Sequence, residues 1–160
     1  MSKEKLAIEE ILRALDECFD GESKFGGVFL EPEDPGLMSM LTTLNAKEAS
    51  MPIAGMSIAN HVYHLIFALD VFIKRIKGDE SATNVDWNTS WQELSLDETG
   101  WEQMRENFIC AREEAVSLAR NYNDNNAGYE KHLRLVMGLL THTVFHLGII
   151  RVKFDERLKW

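Results

Sequence analysis

Apolar residues return every three or four positions along four long stretches of the chain, and that period predicts helices. The first starts near Lys3, with Leu6, Ile8, Ile11, Leu12 and Leu15 on one side and Glu9, Glu10, Arg13 and Asp16 on the other. It is predicted to end at Asp20-Gly21, before a loop punctuated by Gly26-Gly27, Pro32 and Pro35. Residues 37–46 read as a further helical piece. Ser57 is the predicted N-cap of the second long helix. Its stripe is Ile58, Val62, Leu65, Leu69, Phe72 and Ile76, and Gly78 is its stop. A polar connection over 80–94 carries Trp87 and Trp91. Ser95 and Glu98 then have capping-box spacing for a third helix reaching about Asn121. Trp101, Met104, Phe108, Ala111, Ala115 and Leu118 face inward in that helix. Residues 121–128 are a loop by composition. The fourth helix reads from about 131 to 158, and its middle is apolar on nearly all sides, as expected of the most buried helix of a bundle. No strand alternation or internal repeat interrupts this pattern. The expected architecture is all-α: a four-helix bundle, one domain over residues 1–160.

Composition narrows the functional classes. The chain has 160 residues, with 26 acidic against 17 basic side chains and a net charge of −9. Most surfaces of such a protein repel nucleic acid and anionic membranes, so neither is an expected partner. The uncharged run 135–150 is too short to span a bilayer and contains His142 and His146. The first residues contain no continuous apolar run, so a cytoplasmic location is expected. Cys18 and Cys110 are far apart with no CxxC, which excludes a cysteine-type zinc site. Each reads as a small buried hydrophobe, and a disulfide between them stays open.

His142 and His146 are the main chemical signal. Their i, i+4 spacing puts two imidazoles on one helix face, one turn apart. Neutral imidazoles so placed can share a divalent ion such as zinc, nickel or iron. The plainer alternative is two half-buried histidines bonded to backbone or water, yet the apolar middle of this helix offers few such partners. His61 and His64, at i, i+3 on the second helix, are candidate partners. His61 lies roughly 60° round the helix toward the apolar stripe, so periodicity alone makes it the deeper of the two. His132 sits among Glu130, Lys131 and Arg134 and reads as solvent-facing. Three histidines from two helices would leave an open coordination position, as catalytic sites do. Other templates fail. Thr143 follows His142, so HExxH is absent. No histidine has a Glu three residues before it, which excludes the di-iron carboxylate motif. There is no phosphate loop and no G-x-S-x-G.

The segment Met56-Ser-Ile-Ala-Asn-His-Val-Tyr-His64-Leu65 resembles the second-helix motif of the DinB-like (YfiT-like) metalloenzyme superfamily, in which a ligand histidine follows a helix-opening Ser or Thr by seven residues. The segment His142-Thr-Val-Phe-His146-Leu-Gly148-Ile-Ile150 resembles that family's last-helix motif, H-x-x-x-H-x-G-Q-I. Two positions depart: Ile149 stands for the usual Gln, and Met56 for a frequent Trp. Both bear on substrate more than on fold or metal. The resemblance implies a DinB-like four-helix bundle, often dimeric, with a divalent metal on His64, His142 and His146. It sets aside the periodicity preference for His61, which becomes a neighbour or fourth contact. It further implies a small-molecule substrate and a low-molecular-weight thiol, such as bacillithiol or mycothiol, in a transferase or isomerase reaction. A non-catalytic stress-response or ligand-binding protein, a metal-dependent hydrolase and a bundle without metal are the other readings.

Overall fold

The computed structural model describes residues 2–21, 26–92, 94–121 and 128–159. The predicted loops are therefore described only in part, with 22–25 and 122–127 outside these residues. Each long helix starts or stops where its backbone groups find partners. In α1 (Lys3–Asp20), the Ser2 side chain accepts from the Lys5 N–H, and Gly21 ends the helix at φ 99°. In α4 (Ile58–Lys77), Ser57 and Asn60 form a capping box, and Gly78 takes the left-handed conformation that frees its N–H to cap the last turn. α5 (Glu98–Arg120) and α6 (Tyr129–Glu156) complete the long set. The piece predicted over 37–46 is α2 (Leu37–Thr43), and a further short helix, α3 (Ala46–Ser50), follows where none was predicted. They are separate because Asn45 and Glu48 form a second capping box that restarts the chain. No strand occurs among the described residues; one isolated antiparallel bridge joins Pro52 and Ser57.

The cap expected at Ser95 is not the one used. Asp97 caps α5 by accepting from the Gly100 N–H. The Glu98 carboxylate instead accepts from the Ala46 N–H, 52 residues away, and so ties the start of α5 to the start of α3. A tertiary partner has outcompeted the local box.

The four long helices pack in a ring: α4 against α5 and α6, and α1 against α6 and α5. Leu12, Leu15, Phe19, Ile58, Leu65, Leu69, Trp101, Phe108 and Ile150 fill the space between them. Phe19 and Phe108 meet edge to face at 5.6 Å, and the Trp101 indole donates to the Leu44 carbonyl at 2.9 Å. Ala111 and Leu118 pack partly buried against this core, whereas Leu6, predicted inside, is exposed. Gly36 lies so close to the end of α1 that a Cβ there would meet the Gly21 nitrogen at 2.4 Å. By length and composition α6 is apolar enough to cross a membrane, a test that the core helix of a soluble protein also passes. One face of α6 buries Val136, Leu139, Thr143, His146 and Ile150; the opposite face leaves Met137, Phe145 and Val152 exposed.

Candidate functional site

The pairing of α4 with α6 brings all four central histidines together. His64, His142 and His146 offer ring nitrogens that all lie within 4.8 Å of one another, so the three could hold a metal ion. Their ring centroids are 4.6–5.0 Å apart. His61 stands beside this set, its Nδ1 3.1 Å from the Nδ1 of His146. His61 and His64 are 7% and 4% exposed, so His64 is no shallower than its neighbour, contrary to the periodicity expectation. The reason lies outside α4. The connection after α4 folds back over the histidines in a 3₁₀ turn, Trp87–Ser90, and the Trp91 indole stacks on the His64 ring at 4.1 Å and 14°. Trp91 also meets His61 edge-on at 5.3 Å.

Hydrogen bonds fix which nitrogen of each ring is spoken for. The Ser90 hydroxyl donates to the Trp87 carbonyl at 2.6 Å. Its oxygen therefore accepts from the Nδ1–H of His64, also at 2.6 Å, leaving the His64 Nε2 with a lone pair. His146 likewise engages Nδ1, here with His61, which leaves its Nε2 outside that bond. His142 differs: its Nε2 is buried and has no hydrogen-bond partner. An imidazole nitrogen buried without a partner is costly, because water has been lost and nothing replaces it.

Burial also sets the charge state. Desolvation lowers the pKa of all four rings. His61 falls to about 4, by burial and then the Lys153 charge. His64 falls to about 4, by burial and then repulsion from His142 and His61. His146 falls to about 3, by burial and then the other three histidines. At neutral pH the cluster is therefore uncharged, which is the form that ligates a cation. The fit to a divalent ion rests on chemistry visible here: three convergent neutral imidazoles, two oriented through their other nitrogen and one orphaned.

Other candidate residues lie elsewhere. His132 is half-buried and its ring nitrogen bonds the Ala119 carbonyl at 2.8 Å, so it is neither a ligand nor simply solvent-facing. Asp70 pairs with Lys74 at 2.6 Å. Cys18 is buried with its thiol pushed up to about 12 by burial; Cys110 is exposed rather than buried, and both are free. Sequence reasoning missed Ser90 and the covering role of Trp87 and Trp91. The available signal was two tryptophans four residues apart in a polar connection. Scanned against protein-family models, curated proteins and solved structures, the chain matches none.

Proposed function

We propose that the protein is a divalent-metal-dependent enzyme of the DinB-like kind, in which His64, His142 and His146 hold the ion and a low-molecular-weight thiol reacts with a small-molecule substrate. The reaction class is thiol S-transfer or a related group transfer or isomerisation. The observation that carries the reading is the orphaned His142 Nε2 within reach of two oriented imidazoles. Zinc, nickel and iron all suit three imidazoles. When bound, such an ion supplies Lewis acidity and favours the deprotonated form of a thiol. The chain's own groups do the rest. Ser90 holds the His64 ring through Nδ1 and leaves its Nε2 outside that bond. His61 and His146 share one hydrogen bond between their Nδ1 atoms, which orients the His146 ring. The Trp91 ring covers His64 and keeps water from that side. The same reading carries a cytoplasmic location and a homodimer, the second copy covering the exposed α6 stripe of Met137, Phe145 and Val152.

The test is metal analysis of the purified chain, followed by a thiol-conjugation screen with and without chelator. One zinc, nickel or iron ion per chain, with conjugation lost on chelation and restored by metal, is the expected result. Metal without thiol turnover favours a ligand-binding protein, and ester hydrolysis in its place favours a hydrolase. Absence of metal under every loading condition overturns the proposal.

A further inference from the structure

A cavity of about 250 Å³ opens between α4 and α6 directly beside His142. Its walls are apolar, from Ala68, Val71, Phe72, Leu135 and Leu139, with Trp87 at one side. Two arginines, Arg75 and Arg134, line it as well. In a chain with 26 acidic and 17 basic side chains, most arginines find a carboxylate. Arg13, Arg112, Arg120, Arg151 and Arg157 all do. Among the described residues Arg75, Arg105 and Arg134 do not, and of these Arg75 and Arg134 line the cavity. Arg75 donates only its Nε, to the Ala82 carbonyl at 3.0 Å, a bond that aims the guanidinium while leaving its two terminal amino groups uncommitted. Among the described residues no acidic side chain lines the cavity. Gly138 forms part of the wall, and nothing stands within 4 Å of where its Cβ would be.

We infer that this cavity binds a small anionic molecule, its carboxylate or phosphate on Arg75 and Arg134 and its apolar body against Phe72, Leu139 and Trp87. Two guanidinium forks without a carboxylate partner recognise such a group by charge-assisted hydrogen bonds, which guanidinium makes in pairs. The apolar walls reject a fully polar anion, because they cannot replace its hydration. The volume is below the roughly 300–1,000 Å³ of drug-sized sites and suits a metabolite. The inference rests on the metal reading only in placing the ligand's other end beside His142; the anion pocket stands on the arginines.

The experiment titrates the 160-residue chain with hexanoate, hexyl phosphate and hexanamide, following the Trp87 indole resonance, with metal content measured on the same samples. Arg75→Gln, Arg134→Gln and Gly138→Leu are compared with the unmodified chain. Either anion should bind at least about tenfold more tightly than the amide, the scale of one charge-assisted bond. Each arginine variant should remove that preference without changing metal content. Gly138→Leu should weaken all ligands by filling the cavity. Arg134 is exposed and has no hydrogen bond or ion pair among the described residues, so its variant folds even where loss of the Arg75–Ala82 bond disturbs the chain. Binding of hexyl phosphate alone supports the pocket and assigns a phosphate headgroup. Equal affinity for anion and amide, retention of the preference in both arginine variants, or no saturable binding at millimolar ligand overturns it. An arginine-dependent preference in a protein that takes up no metal keeps the pocket and sinks the metal reading; metal uptake without the preference does the reverse.

Discussion

Two buried polar groups in this molecule are handled in opposite ways. Glu17, on α1, is 2% exposed, and its carboxylate accepts from the backbone N–H groups of Val28, Phe29 and Leu30 at 2.7–2.9 Å. Burial alone would raise its pKa, but those three backbone bonds win and hold it below the usual carboxylate value. The His142 Nε2 is buried too and has nothing. A saturated group has finished its work in the fold: Glu17 pins the 28–30 segment to α1. An unsaturated one is a cost that the fold carries and that a ligand can remove. Arg105 and Arg157 also bury an Nε without a hydrogen-bond partner, so the contrast singles out His142 only together with the two imidazoles that converge on it.

The largest expected effect comes from the saturated side. Glu17→Ala leaves three backbone donors without their acceptor, which should cost about 1–3 kcal/mol, the penalty for a buried donor left unsatisfied. Urea unfolding should show it, while metal uptake stays as in the unmodified chain. A loss below about 1 kcal/mol would mean that water replaces the carboxylate, and the contrast with His142 would fail.

The next effect falls on metal content. Replacing His64, His142 or His146 with Ala should each remove most bound metal, with the helical circular dichroism near normal, because the apolar stripes supply the fold. His61→Ala should remove less, since His61 stands beside the three ligands and engages His146 through Nδ1. Metal stoichiometry across the four variants ranks them. If His61→Ala empties the site and His64→Ala does not, the ligand set is off by one residue.

The same pair of regions should separate in pH. His61, His64 and His146 titrate near 4, 4 and 3 in the folded chain, against about 6.5 when unfolded. Between those values the unfolded chain binds more protons, so stability rises with pH there. The histidine contribution is whole above about 6.5 and is lost as the solution falls toward 4. Glu17 is also depressed, and its contribution is lost only below the ordinary carboxylate value of 4.5. In chelator, melting temperature should therefore fall in two windows. His64→Ala should flatten the upper one and Glu17→Gln the lower one. A single fall confined to the acid end would show that the histidines are not desolvated.

These tests also mark how far the sequence could be read. The long helices were legible because Leu12, Leu65, Phe108 and their neighbours repeat at helical period, and because Ser57 and Gly78 are local punctuation with local partners. His142 and His146 were legible for the same reason, one turn apart on one helix. What failed depended on chain-distant contacts. Glu98 left its local box for Ala46, and the turn carrying Ser90 and Trp91 reached back onto His64. Period and spacing describe an element's own faces; they are silent on which connection will lie across them. That is why His64 looked shallower in sequence than it is.

The smallest predicted effect tests the outer face of α6. Gly148 sits inside the helix at an exposed position, and an added Cβ meets nothing within 4 Å. Its backbone is helical, so Gly148→Ala should stabilise the chain by roughly 0.5–1 kcal/mol through lost unfolded-state freedom. Gly138→Ala should gain about as much, since its Cβ also meets nothing, while narrowing the cavity beside His142. The two glycines differ in what a partner chain would do. If a second copy covers the stripe of Phe145 and Val152, the new methyl at Gly148 points toward that copy, and the gain should shrink as protein concentration rises. Unfolding at two concentrations, with sedimentation at each, reads both outcomes. A full gain at every concentration, with only monomer sedimenting, would leave Phe145, 63% exposed, without the partner proposed for it.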